Sequence, residues 1–193
     1  MIVIIDNYDS FTYNICHSID TDMYSCKVVK NDEVSVKDVI DMSPSHIIIS
    51  PGPYSPESGA GICIDLVKEL HRSVPILGIC LGAQVIAHAF GVRVAKANTV
   101  AHGIVSEIIC DRSSALFKGV PNKIVGTRYH SLCIDRAGAE KNFQIIASTT
   151  DSNSLEIVMA NKHRAGRLYG VQFHPESIMT PYGKKIINNF LKE

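Results

Sequence analysis

Cys80 sits in Gly78-Ile79-Cys80-Leu81-Gly82, between the apolar run Pro75–Ile79 and a helix-forming stretch that stops near Gly91. This is the pattern of a nucleophile elbow with sulfur in place of oxygen. A glycine on each side removes the Cβ clashes of so tight a turn. The turn lifts the thiol above the sheet edge, facing the positive end of the next helix, and that field favours a thiolate. Cysteine in a strand is more often a buried apolar side chain. Paired glycines at a strand-to-helix switch favour the nucleophile instead.

A thiol nucleophile needs a base, and the base needs an orienting group. His174-Pro175-Glu176 supplies both. Pro175 favours an extended His174, and in extended chain side chains two apart share a face. Glu176 then accepts from one imidazole nitrogen and leaves the other for Cys80. Nothing local makes Cys80 and His174 neighbours, so their meeting is a tertiary expectation. Acyl chemistry also needs donors where a carbonyl oxygen gains charge. The Leu81 amide, first in the helix after the elbow, is one candidate. Gly52 is the other, because in Pro51-Gly52-Pro53 it alone carries a backbone N–H.

The elements that must position these groups alternate through the first half. The patterns predict strands over Ile2–Ile5, Tyr24–Val29, His46–Ile49 and Pro75–Ile79, and helices over Ser10–Ile19, Val34–Met42 and Gly61–Leu70. Phe11, Ile15 and Ile19 form the inward stripe of the first helix; Val36, Val39 and Ile40 form that of the second. Wholly apolar strands alternating with helices imply a parallel sheet covered on both faces. The second half is richer in strands: Thr99–Cys110, Lys123–Arg128, Gln144–Thr150, Leu155–Asn161 and Leu168–Phe173, with a final helix from Pro181. The expected fold is α/β: an open, mostly parallel sheet with helices on both faces, plus a smaller strand-rich second-half layer. Cys80, the Pro51-Gly52-Pro53 loop and His174 all fall just past strand ends, where such sheets bind ligands.

The 193 residues fit one domain, 1–193, with a full core. Hydrophobic residues make up 46%, charged residues 20%, and the formal net charge is zero. Nothing there attracts nucleic acid or an anionic membrane. No apolar run approaches the roughly 20 residues of a membrane span, and Met1 leads straight into a strand without a basic leader. Six cysteines without a CxxC pair suggest reduced thiols and a cytoplasmic protein. No HExxH, paired CxxC, GxxxxGK[ST] or GxGxxG appears, which leaves metal and nucleotide binding without support. His71 and His163 read as surface side chains, and Gly59-Ala60-Gly61 as a helix-entry turn.

Six blocks in order resemble the class I (triad-type) glutamine amidotransferases. They are Asp6–Asn14, Ser50–Pro53, Gly78–Gln84, His102-Gly103, Tyr129–Leu132 and Gly170–Ser177. Within that family the chain closely resembles the glutaminase subunits of anthranilate synthase and aminodeoxychorismate synthase, and the resemblance covers nearly its whole length. It implies a flavodoxin-like core and a Cys80, His174, Glu176 triad acting on L-glutamine through a γ-glutamyl thioester. Gly52 and Leu81 would bind the oxyanion. Gln84, His130, Ser131 and Leu132 would hold the glutamine, the last two chiefly through main chain. The resemblance also implies no cofactor or metal in this subunit, and a partner synthase subunit that binds chorismate and Mg²⁺. The Asp6–Asn14 loop and His102-Gly103 would face that partner. By the same resemblance, the chain is expected to lack the extra domain of the carbamoyl-phosphate synthase small subunit and the synthetase half of GMP synthetase.

Three residues depart from the family pattern. Tyr54 stands where glycine is common, Ala83 where a larger residue such as histidine is frequent, and Ile104 where lysine is frequent. None removes a catalytic group. Two other readings stay open beside the amidotransferase one: a stand-alone γ-glutamyl hydrolase or peptidase on the same fold, and a noncatalytic assembly module. The choice between anthranilate and 4-amino-4-deoxychorismate also stays open.

Overall fold

Strand β1 (Ile2–Asp6) is buried along all five residues, and its alternate side chains enter different cores. Ile2 and Ile4 join one apolar cluster and Val3 and Ile5 the other, as the two-residue period of a strand requires. A continuous apolar run is stable here because both faces of the sheet are covered. The structure is a computed structural model that describes residues 1–20 and 22–193.

The chain continues through α1 (Thr12–Ser18), β2 (Cys26–Lys30), α2 (Val36–Asp41), β3 (His46–Ile49), α3 (Pro56–Gly59), α4 (Cys63–Leu70), β4 (Ile76–Ile79) and α5 (Leu81–Ala89). There follow β5 (Val94–Lys96), β6 (Ile104–Cys110), β7 (Lys123–Arg128), β8 (Leu132–Ile134), α6 (Arg136–Ala139), β9 (Phe143–Thr150), β10 (Glu156–His163), β11 (Leu168–Val171) and α7 (Gly183–Phe190). One nine-stranded sheet has the order β2-β1-β3-β4-β11-β10-β9-β6-β7, and β5 pairs with β8 in a separate two-stranded sheet. The first five strands of that order run parallel; the rest pair antiparallel. Most second-half strands therefore extend the same sheet.

One face is closed by α1 and α7, through Ile15, Ile186, Ile187 and Phe190. The other is closed by Val39 of α2, by Leu66 and Val67 of α4, and by Ala83, Val85 and Ile86 of α5. Several details of the sequence reading change: β6 begins at Ile104 rather than Thr99, and β2 at Cys26 rather than Tyr24. Phe11 lies outside α1 and is exposed, because the chain is still turning there. Ile40 is exposed, and Val39 alone carries the buried side of α2. His163 is buried against the rings of Phe90 and Phe143, while His71 is half-buried beside it. The short elements α3, β5, β8 and α6 have too few residues for a periodic pattern to announce them.

The order of strands positions the site. Sheet neighbours β1, β3, β4 and β11 bring Asn7, the Pro51–Pro53 loop, Cys80 and the Gln172–Glu176 segment to one edge. Register does the fine alignment. Gly170 pairs with Gly78 and Val171 with Ile79, and the Cys80 amide donates to the Val171 carbonyl at 2.8 Å.

Candidate active site

Cys80 occupies the turn between β4 and α5 with φ 51° and ψ −102°. A side-chain-bearing residue rarely takes this conformation, which costs on the order of 1–3 kcal/mol and persists only where the surroundings enforce it. The enforcement comes from close packing of glycines. A Cβ on Gly78 would lie 2.3 Å from the Gly82 carbonyl, and one on Gly82 would lie 2.3 Å from the Ile49 oxygen. Strand β4, the start of α5 and the end of β3 thus touch backbone to backbone.

His174 and Glu176 form the second half of the constellation. His174 Nδ1 and Glu176 Oε1 are 2.6 Å apart, and both side chains are almost wholly buried. The His174 backbone is pinned from the far side of the sheet. Its amide donates to the Thr127 carbonyl at 2.9 Å, and its carbonyl accepts from Thr180 Oγ1 at 2.8 Å. Nε2 makes no hydrogen bond among the described residues, so the nitrogen not used by Glu176 is free. Burial works against a charge on this ring. The Cys80 thiol and the Glu176 carboxylate outweigh burial and push its pKa up to about 10. Cys80 is therefore near enough to act on His174 electrostatically.

The expected anion-binding amides lie on either side of the sulfur. Neither the Gly52 nor the Leu81 N–H is used in a hydrogen bond among the described residues. Gly52 has no room for a side chain: a Cβ would sit 2.7 Å from Leu81 Cδ2 and 2.8 Å from the Asn7 oxygen. Asn7 anchors this loop from beneath. Its backbone amide donates to Ser50 Oγ and its Nδ2 to the Ser50 carbonyl, each at 2.8 Å. Asn31 donates in turn to Asn7 Oδ1 at 2.9 Å. The sequence reading placed Asn7 only in a partner-facing block. Its support of Gly52 becomes visible once β1 and β3 are paired.

A cavity of about 110 Å³ joins Cys80, Gly52, Leu81, Gln84, His130, Ser131 and Leu132, with Tyr54 at its rim. The six residues expected to hold glutamine or its oxyanion all line it with Cys80, whereas His174 and Glu176 line the neighbouring cleft. Their roles differ in detail. Both His130 nitrogens are engaged within the protein: Nε2 accepts from Arg128 Nε at 3.0 Å and Nδ1 donates to the Leu132 carbonyl at 2.8 Å. Burial, with Arg128 beside it, pushes the His130 pKa down to about 4, so the ring is neutral. Gln84 spends its Nε2 on the Leu132 carbonyl and on Gln172 Oε1. Its oxygen remains for a ligand. Ala83 is fully buried and packs toward Gly170, where a Cβ would be 3.0 Å from its own.

A larger cleft of about 630 Å³ is lined by His174 and Glu176 together with Phe11, Asn14, Tyr129 and Met179 among others. Cys80 does not line it; the elbow cysteine opens into the smaller cavity. Tyr129 lines both. Its ring meets His174 edge-on at 5.2 Å, stacks near Phe11 at 6.3 Å and meets His102 at 5.8 Å. The blocks around Phe11 and His102 therefore converge on the Tyr129 ring beside His174, and Ile104 is exposed. Among the described residues no group of three or more His, Cys, Asp or Glu could hold a metal ion, and no helix is long and apolar enough to cross a membrane.

The family model for glutamine amidotransferase class-I matches residues 3–193. The chain is 42% identical to anthranilate synthase component 2 of Pyropia yezoensis, over 100% of this chain and 99% of that one. It is 40% identical to the aminodeoxychorismate/anthranilate synthase component 2 of Bacillus subtilis, over 100% and 96%. Against the bifunctional protein TrpGD of Thermotoga maritima it is 43% identical over 98% of its length, spanning 32% of that longer chain. Among solved structures, a Thermoplasma acidophilum protein assigned to GMP synthase superposes with a TM-score of 0.83 at 26% identity, covering 99% of this chain and 92% of that one.

Proposed function

The chain belongs to the class-I glutamine amidotransferases, and we propose that it is the glutaminase subunit of a chorismate-aminating synthase. It hydrolyses L-glutamine to L-glutamate and delivers the ammonia to a partner synthase component. Relatives of the same length are named as component 2 of anthranilate synthase or of aminodeoxychorismate/anthranilate synthase, which supports that division of labour.

Under this reading the glutamine carboxamide enters the cavity at Cys80. The sulfur, its proton passed to His174, attacks the amide carbon and forms a C–S bond. The carbonyl oxygen gains charge between the Gly52 and Leu81 amides, where each well-aimed donor is worth about 3 kcal/mol of barrier. His174 returns the proton to nitrogen as the C–N bond breaks, releasing ammonia and leaving the γ-glutamyl thioester. It then takes a proton from water, which attacks the thioester; glutamate leaves and sulfur is regenerated. Glu176 holds the ring so that Nε2 keeps facing the reaction. Ammonia is lost if it escapes to solvent, and Tyr129 separates this cavity from the cleft at Phe11 and Met179, the side on which the partner would receive it. Chorismate and Mg²⁺ are handled by the partner. Six free thiols support a reducing, cytoplasmic setting.

The observation that carries the proposal is the strained elbow at Cys80, which acts on the ring of the buried His174–Glu176 pair and shares a cavity with the unused Gly52 and Leu81 amides. A glutamine-mimicking chloroketone tests it. Stoichiometric labelling at Cys80, blocked by glutamine, is expected; no labelling would leave a noncatalytic module. Full glutaminase turnover without stimulation by any synthase component would favour the stand-alone hydrolase.

A further inference from the structure

We propose that Gln172 is a hydrogen-bond donor to the Cys80 nucleophile, held in that sense by a chain of polar groups that begins at Arg128. The inference rests on the reading of Cys80 as the nucleophile. Gln172 Nε2 lies 3.6 Å from Cys80 Sγ, a normal contact for an N–H donor on the larger sulfur atom. The side chain is buried to 1% exposure, and its backbone amide already donates to the Met159 carbonyl at 2.8 Å. The sheet thus has no need of the carboxamide, which is turned to the sulfur.

An amide's nitrogen and oxygen have similar outlines, so its orientation must come from its partners. Here the partners leave one solution. The Arg128 guanidinium has only donors, so His130 Nε2, 3.0 Å from Arg128 Nε, must be the bare nitrogen. Its Nδ1 then carries the proton and donates to the Leu132 carbonyl at 2.8 Å. A carbonyl only accepts, so Gln84 must present its NH₂ group to the same oxygen, at 3.2 Å. The other hydrogen of that group points to Gln172, at 3.1 Å, and fixes the atom there as oxygen. Gln172 is left with its N–H facing Cys80. Arg128, His130, Gln84 and Gln172 are all buried, which keeps water from offering substitutes.

A donor aimed at sulfur favours the anion over the neutral thiol. It acts when the thiolate forms and again when the thioester collapses and sulfur leaves. The group therefore assists both halves of the reaction without touching glutamine.

The test is the pH dependence of iodoacetamide alkylation at Cys80, followed in the full chain by peptide-resolved mass spectrometry. Gln172→Met keeps the length and removes the donor. Its alkylation profile is expected to move about one pH unit upward, with a rate near neutrality about tenfold lower. In the complex, kcat for glutamine should fall while KM changes little. If Gln172→Met does not fold, Gln172→Asn keeps an amide for Gln84 but withdraws it from sulfur, and the same upward movement is expected. A variant profile that superimposes on the wild type overturns the role of Gln172 and leaves Cys80 as nucleophile. A wild-type Cys80 no more reactive than the partly exposed Cys133 overturns both.

Discussion

Gly170 and Gly78 lie opposite one another in parallel strands β11 and β4. That single pairing sets Gln172 beside Cys80 and brings His174 over the elbow, although 94 positions separate residues 80 and 174 (174 − 80). The site is thus a product of sheet register.

Cys80→Ser should abolish glutamine-dependent synthesis by the complex, while the partner's synthesis from free ammonia persists. A serine hydroxyl is a far weaker nucleophile at this position, and the ammonia route bypasses it. Parallel assays with glutamine and with ammonium salts decide the matter. Joint loss of both activities would mean that the two subunits do not divide the work as proposed.

Replacing His174 with Ala should lower kcat by about 10³-fold, because proton transfer at both steps is lost. Glu176→Gln should cost less, about 10- to 100-fold, since the ring remains and only its orientation and charge support weaken. Single-turnover kinetics of the two variants give the order. The reverse order would count against these roles.

His174 also ties stability to pH. Its folded-state pKa of about 10 lies above the ordinary value of 6.5. A raised pKa means that the folded protein holds this proton more tightly, so the stabilisation is full below about pH 6.5 and disappears as pH climbs through about 10. The melting-temperature advantage of wild type over His174→Gln should therefore shrink steadily across that window. An advantage that grows with pH would contradict the assignment.

Gly78→Ala should destabilise the fold by about 3 kcal/mol and displace the elbow, because the new methyl meets backbone that has no room to retreat. Urea unfolding measures the loss. A change below about 0.5 kcal/mol would show that the strand–helix contact relaxes easily.

Asn7→Ala tests the floor of the anion site. Asn7 is fully buried and its side chain bonds Ser50, Asn31 and Cys63. Removing it should cost about 2 kcal/mol of stability from stranded partners. Because Gly52 rests on Asn7, kcat should also fall about tenfold through a misplaced donor. Stability lost without a change in kcat would separate the loop from catalysis.

Much was legible locally. The elbow, the His-Pro-Glu step and the all-apolar strands are patterns of neighbours in sequence, and β3 and β7 fall at the bounds their composition predicts. Phe11 and Ile40 were misplaced because a helical stripe does not say where the helix begins or how much of it the sheet covers. His163 was misplaced because polarity suggested solvent, whereas Phe90 and Phe143 close over it.

What the sequence determined by itself was the inventory: a cysteine in a forced turn, a histidine two residues from a carboxylate, and a loop with one available amide. These depend on steric rules acting over a few residues. Tertiary structure alone decided how the inventory is assembled. Strand order placed four loops at one edge, register put Gln172 against sulfur, and Arg128 set the direction of every hydrogen bond between them. Such facts arise from pairings between residues far apart in the chain, where side-chain type states what a group can donate or accept but not which partner it meets.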